Sequence, residues 1–174
     1  MLEVKDLRAG YGQIAAKGSI DVIRNINFTA DRGESLCILG PNGCGKSTLL
    51  KSIARIIDYR GLITLEDRDT AAFSRRELAK KIALLGQNSQ VFFPFTVYET
   101  VSMGRYAYSQ GFLKNLSAED EAIVQDVMQK LDIGNIKDRM IDELSGGQLQ
   151  RVFLASSLRE NSAVSRPSSV TRPR

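Results

Sequence analysis

A glycine-rich segment in the first third of the chain has the residue types and spacing of a phosphate-binding loop. It fits the pattern G-x-x-x-x-G-K-[ST] and comprises Gly40, Pro41, Asn42, Gly43, Cys44, Gly45, Lys46, Ser47 and Thr48. Glycines let the backbone curl so that its N–H groups point at phosphate oxygens, and a following helix N-terminus adds its positive end. Lys46 would bring a full charge to the β- and γ-phosphates, and the Ser47 hydroxyl suits a magnesium ion. The segment therefore predicts a site for nucleotide phosphates.

A second short motif lies near the end of the chain. Leu144 is followed by Ser145, Gly146, Gly147 and Gln148, and then by a stretch with helical spacing over residues 149–159. A serine and two glycines at a helix start expose N–H donors to an anion. Taken alone, the same pentamer could be a helix-capping turn without a ligand.

The elements that must position these motifs follow an α/β pattern. Residues 2–7 and 22–28 alternate as antiparallel strands, and the compact apolar run 35–39 predicts a buried strand leading into the loop. A helix is expected over 47–57, further strands over 63–65 and 82–85, and a short polar helix over 74–81 between those two. Strands alternating with helices indicate an α/β domain.

The second half of the chain has a different character. Residues 97–144 are mainly helical in pattern, with Ser117 placed to cap a helix and an apolar face formed by Val124, Val127, Met128 and Leu131. This stretch predicts an inserted helical subdomain. Residues 160–174 are rich in serine, arginine and proline, with Ala163, Val164 and Val170 as their aliphatic residues, so a disordered tail is expected there.

The amino-acid composition limits which kinds of site the chain can form. Hydrophobic residues at 43% and charged residues at 25% are ordinary for a folded globular chain. Three arginines of the tail contribute to the net charge of +4, so a nucleic-acid groove is not expected. The sequence has no histidine, which excludes a Ser-His-Asp triad and an imidazole base within these residues. Cys37 and Cys44 lack the spacing of a zinc site and are expected to be reduced thiols.

No segment of the sequence predicts direct membrane insertion. Residues 1–6 lack the apolar core of a signal peptide, and the apolar runs at 36–39 and 82–85 are far shorter than the ~20 residues that cross a bilayer. Membrane association is therefore expected through a partner.

Together, the two motifs resemble the Walker A loop and the signature of ATP-binding-cassette (ABC) ATPases. The resemblance implies a P-loop NTPase fold with an N-terminal antiparallel β region and an inserted helical subdomain. It also implies ATP and Mg²⁺ as cofactors, integral membrane permease subunits as partners, and a peripheral location at the cytoplasmic face of the membrane. In the family two ATP-binding subunits meet head to tail, so Ser145, Gly146 and Gly147 would contact the γ-phosphate on the partner's loop, with Gln148 completing the motif.

Two further positions match the family. Gln87 resembles the Q-loop glutamine, which reaches magnesium and relays the nucleotide state to the membrane subunit. Tyr11 resembles the aromatic residue that stacks on adenine, although the segment 13–19 makes the connection to the next strand longer than usual. An exposed polar loop residue and an ordinary hairpin aromatic are the respective alternatives.

Motif spacing narrows the resemblance. Ser145 lies 99 positions after Lys46 and no coiled-coil heptads intervene, as in transporter ATPases. Residues 96–106 resemble the stretch after the Q-loop in importers of iron-siderophores, haem and cobalamin. The expected function is ATP-driven uptake of such a metal chelate. A non-catalytic nucleotide-binding or regulatory protein is the alternative, whereas an unrelated P-loop kinase or GTPase would need its own recognition motifs, and none is found.

The resemblance covers residues 2–159 and then stops. The family continues into an aliphatic strand ending in Asp-Glu, which should fall near Ser168 and Ser169, and later has a switch histidine. We therefore expect a partial ABC ATPase domain over 1–159, with its helical subdomain at about 97–144 and the C-terminal part of the core missing. Residues 160–174 are expected to be a tail outside the family pattern, produced by truncation or a frame shift. No catalytic residue is assigned, and ATP binding without hydrolysis is expected.

Overall fold

The computed structural model describes residues 1–11, 20–86, 94–108 and 116–158. The chain forms two compact units, Met1–Leu84 and Leu85–Arg174.

The first unit contains a four-stranded antiparallel sheet. Its strands, in the spatial order β2-β1-β3-β4, are β1 (Leu2–Tyr11), β2 (Ile20–Ala30), β3 (Tyr59–Leu65) and β4 (Arg68–Asp69). Val4 on the central strand lies opposite Phe28 of β2 and Ile63 of β3. The antiparallel strands predicted within residues 2–7 and 22–28 are confirmed, and the strand predicted at 63–65 is the end of β3.

One face of this sheet packs against helix α1 (Lys46–Ile53). The shared core consists of Val4, Leu7, Ala9, Ile23, Leu49, Ile53 and Ile63. The helix ends earlier than the predicted residue 57 because Arg55 adopts a left-handed conformation with φ 52°. The amides of Arg55 and Ile56 donate back to the carbonyls of Ser52 and Lys51, both at 2.9 Å, which terminates the helix.

A short helix follows the sheet, as predicted. Helix α2 (Arg75–Ala79) begins after Ser74, whose hydroxyl accepts a hydrogen bond from the amide of Glu77 while the Glu77 carboxylate accepts one from the amide of Ser74. The polar segment 74–81 predicted this helix, but the sequence analysis did not predict the reciprocal capping box of Ser74 and Glu77.

The strands predicted at 35–39 and 82–85 are wrong for the structure described. Neither segment forms ladder hydrogen bonds, and among the described residues every strand pairing is antiparallel. Leu39 is 86% exposed and Leu36 49%, while Leu84 and Leu85 are also exposed. A buried parallel strand needs neighbours to bond its backbone and cover its side chains. Within the described part of the chain, no segment supplies those neighbours, so apolar composition alone does not make a strand.

The second unit is helical, which agrees with the pattern of residues 97–144. Its helices are α3 (Val97–Met103), α4 (Ala118–Lys130) and α5 (Gly146–Ser157), and single 3₁₀ turns lie at Gly134–Ile136 and Ile141–Glu143. The predicted apolar face of α4 is buried at Val124, Val127 and Met128, and Leu131 packs against the same core. Ser117 caps α4, as predicted, by accepting a hydrogen bond from the amide of Asp120.

A buried ion pair and a close helix contact hold this second unit together. Arg105 Nε donates to Asp120 Oδ1 at 2.8 Å, and both side chains are more than nine-tenths buried. Gly104, at the end of α3, approaches α5 so closely that a Cβ there would lie 2.1 Å from the Ser156 carbonyl oxygen. None of the helices in the described ranges is long and apolar enough to span a bilayer.

Candidate functional site

The backbone of the predicted phosphate loop curls through a glycine that no other residue can replace without strain. Gly45 has φ +98° and is the residue before α1, and a Cβ on it would lie 2.4 Å from Ile23 Cγ2. The sheet residue Ile23 therefore presses directly on the loop. This contact fixes the loop against the first unit's core and directs the chain into α1.

The N-terminus of α1 lacks the side-chain cap that the other helices have. In the described ranges, the other four α-helices each begin with a hydroxyl that accepts a backbone N–H, from Ser74, Thr96, Ser117 and Ser145. Gly45 supplies no such acceptor. The first N–H groups of α1 are thus left to an acceptor from outside the helix, and an anion is the acceptor that the helix dipole favours.

Lys46 holds a positive charge within this loop. Its Nζ donates to the carbonyl oxygens of Gly40 and Pro41, each at 2.7 Å, and lies 3.7 Å from Cys44 Sγ. These contacts bend the lysine back over the loop from which it emerges. Backbone donors and an ammonium group are therefore gathered around one short segment, which is the donor set that phosphate oxygens require.

The remaining loop residues differ in exposure. Asn42, Gly43 and Ser47 are exposed, whereas Thr48 is buried under the first turn of α1. The exposed position of Ser47 leaves room for a ligand, and its role toward Mg²⁺ stays a prediction. In the described part of the chain, no group of three Cys, Asp or Glu side chains could hold a metal by itself. A magnesium ion here would depend on phosphate oxygens together with Ser47.

Tyr11 lies beside the helix that follows the loop. Its ring is 54% exposed, and Lys51 Nζ lies 5.6 Å from the ring centroid. A hydrogen bond with Thr48 lowers the pKa of the Tyr11 phenol, burial opposes this effect, and the nearby charge of Lys51 adds a smaller lowering. The structure thus brings the predicted aromatic residue next to Thr48, a member of the phosphate loop motif.

The signature residues begin α5 in the second unit. Ser145 is the N-cap: its hydroxyl accepts from the amide of Gln148 at 3.4 Å, and Gln148 Oε1 accepts from the amide of Ser145 at 3.0 Å. Gly146 and Gly147 are exposed, and a Cβ on either would meet nothing within 4 Å. The segment is therefore a helix cap, and its two glycines leave room for another molecule to approach the first amides of α5.

Gln87 lies outside the described residues.

The sequence did not predict that Lys51 lies beside Tyr11, because a lysine in a helix is usually a solvated surface residue. The available signal was its spacing: Lys51 follows Thr48 by three positions and so shares its helix face.

The glycine loop, its helix and the antiparallel sheet define the class of the protein as an α/β P-loop NTPase domain. The profile of the family described as ABC transporter matches residues 23–165. The chain belongs to the ABC transporter family.

Known relatives cover most of this chain, but the chain covers only part of them. It is 37% identical over 164 residues to the probable siderophore transport system ATP-binding protein YusV of Bacillus subtilis, spanning 94% of this chain and 57% of that protein. It is 39% identical to the manganese transport system ATP-binding protein MntB of Halalkalibacterium halodurans, spanning 93% and 61%. The dimeric structure of MJ0796, a bacterial ABC transporter cassette, superposes with a TM-score of 0.73 at 25% identity, over 91% of this chain and 69% of that one.

Proposed function

We propose that this chain is the nucleotide-binding part of an ATP-binding subunit that powers uptake of a metal chelate such as an iron-siderophore, haem or cobalamin. The observation that carries the proposal is the uncapped N-terminus of α1 directly after a loop over which the Lys46 side chain is folded. The name of YusV and the resemblance of residues 96–106 support the chelate class. The permease subunits and the peripheral position at the cytoplasmic face of the membrane belong to the same proposal.

The loop residues would divide the work of binding MgATP. Amides at the start of α1 bind phosphate oxygens, Lys46 turns its ammonium group to the β- and γ-phosphates, and the Ser47 hydroxyl ligates magnesium. Gln87 would approach the same ion, and Tyr11 would stack on the base. The nucleotide brings its own negative charge, and bound Mg²⁺ would neutralise part of it.

A second ATP-binding subunit would complete the site from the other side of the nucleotide. Ser145 and Gln148 already hydrogen-bond to each other. A γ-phosphate would therefore approach the signature through the free space over Gly146 and Gly147. Glycines weaken a helix by about 0.5–1 kcal/mol each relative to alanine, and packing against the described residues does not require glycine at either position. A head-to-tail dimer, with the nucleotide between loop and signature, accounts for them.

We further propose that the 174-residue chain binds ATP without turning it over. Within these residues no Asp-Glu pair follows an aliphatic strand after α5, and there is no histidine to contact the γ-phosphate. A bound phosphate can be held by the loop alone, but hydrolysis needs a group that positions and deprotonates water.

Calorimetry with MgATP tests both proposals. Lys46→Ala should weaken binding by about 10- to 150-fold, because a hydrogen bond to a charged group contributes about 1.5–3 kcal/mol. Lys5→Ala removes an equal charge from an exposed position of β1 and should leave the affinity unchanged. Equal affinities of the wild-type and Lys46→Ala chains, or no binding by a wild-type chain with native circular dichroism, would contradict the loop assignment. Phosphate release that Lys46→Ala abolishes would contradict the proposal on turnover.

A further inference from the structure

Lys51 and Tyr11 meet although they are 40 positions apart in the sequence. Tyr11 ends β1 and has the same parity as Leu7 and Ala9, whose side chains are buried on the face that packs against α1. Lys51 lies one turn after Thr48 on α1. Because residues three apart share a helix face, Thr48 and Lys51 lie on the same side of α1, which faces the end of β1.

The contact orders both side chains. Lys51 Nζ lies 5.6 Å from the centre of the Tyr11 ring, within the range of a cation–π interaction. The pKa of the Tyr11 phenol is lowered, chiefly by Thr48 and against the opposing effect of burial, and the Lys51 charge acts in the lowering direction. No carboxylate of the described residues forms an ion pair with Lys51. The tyrosine ring is therefore the group that holds the lysine in place.

The position of Lys51 separates it from the phosphates. It follows Lys46 by five positions, which is about 7.5 Å along a helix axis, and so lies beyond the turn whose amides begin the helix. Its ammonium group lies 5.6 Å from the centre of the Tyr11 ring, and the ring remains 54% exposed. A ring that is fixed at one side and open elsewhere is pre-organised to stack on a planar group.

We propose that Lys51 is a positioning residue that fixes the Tyr11 ring as the stacking platform for the nucleotide base. The inference rests on the proposed function, since it assigns Lys51 to base recognition at the same site. Lys51 touches Tyr11 and acts on the nucleotide through it. The loss of an exposed cation–π contact should weaken binding of a base-containing ligand about two- to fivefold.

Paired ligands test the proposal with the whole chain. Lys51→Met should weaken MgATP binding two- to fivefold and leave magnesium tripolyphosphate binding unchanged, since tripolyphosphate has no base. Lys51→Arg should restore ATP affinity, and Lys5→Met is the matched loss of charge that should change neither ligand. In a Tyr11→Ala background, Lys51→Met should have no further effect. Equal weakening for ATP and tripolyphosphate would show that Lys51 acts on phosphates and would overturn the proposal.

Titration of the Tyr11 phenol tests the contact without any nucleotide. The absorbance difference between the wild-type chain and Tyr11→Phe reports the pKa of this tyrosine, and Lys51→Met should raise it, because a nearby positive charge favours the phenolate. Lys51→Arg should keep it low. An unchanged pKa in Lys51→Met would overturn the Lys51–Tyr11 contact. If instead neither ATP nor tripolyphosphate binds while the pKa shift is present, the proposed function has failed and the contact stands.

Discussion

Two glycines of the helical unit should respond in opposite ways to the same substitution. Gly147 lies in the first turn of α5, and a Cβ there would meet nothing within 4 Å. Gly104 follows α3 with φ −59° and ψ −19°, so its backbone also suits alanine. An added Cβ at Gly104, however, would lie 2.1 Å from the Ser156 carbonyl oxygen and 2.9 Å from its carbonyl carbon.

The structure gives the sign and size of both changes. Gly147→Ala should stabilise the unit by about 0.5–1 kcal/mol through helix propensity alone. Gly104→Ala should destabilise it by about 1–3 kcal/mol, because a backbone carbonyl cannot rotate away as a flexible side chain would, so α5 must shift. Neither residue has a positive φ, so available space is the variable that separates them.

Urea unfolding followed by far-ultraviolet circular dichroism measures the two effects. The free energy of unfolding of Gly147→Ala should exceed that of the wild type, with an unchanged denaturant slope. That of Gly104→Ala should fall. A loss of stability in Gly147→Ala comparable to that in Gly104→Ala would refute the reasoning, since it would mean that packing within this chain requires Gly147. A gain in stability would indicate that position 147 is glycine because another molecule contacts it.

Two other predictions follow from burial. Asp120→Asn should cost about 3–5 kcal/mol, because it leaves a buried arginine charge uncompensated. Burial opposes ionisation of Asp120, but hydrogen bonds from Ser117 and Arg105 outweigh it and hold its pKa below the ordinary value of 3.8. The contribution of ionised Asp120 to the free energy of unfolding is therefore complete above pH 3.8 and is lost as the pH falls through the folded-state pKa. A titration of stability against acid pH should show this loss in the wild type and not in Asp120→Asn. Leu39→Ser should change the free energy of unfolding by less than about 0.5 kcal/mol, whereas Leu7→Ala should lower it by about 2–5 kcal/mol. A large loss of stability in Leu39→Ser would show that residues 35–39 are a buried strand.

Local sequence signals predicted the local structure well. The glycine pattern before Lys46 predicted where α1 begins, and Ser117 predicted the start of α4, because caps and tight turns depend on neighbours within a few residues. The apolar face of α4 was likewise readable from its spacing.

Features that depend on distant partners were not predictable in the same way. Residues 35–39 and 82–85 have the composition of buried strands, but a strand exists only with a neighbour that bonds it, and sequence composition does not supply one. The early end of α1 depends on Arg55, a residue type that gives no strong stop signal. The contact between Lys51 and Tyr11 joins a helix to a strand end across the fold, so neither residue marks it alone.

The most direct test of the central claim is a ¹H–¹⁵N amide spectrum of the 174-residue chain titrated with MgATP. We predict saturable shifts that are largest within residues 43–48, because this segment contains the first amides of α1, which have no side-chain cap. Lys46→Ala should reduce these shifts at the same ligand concentration. Saturable shifts confined to other residues, with the amides of 43–48 unmoved, would contradict the claim that this loop binds the nucleotide.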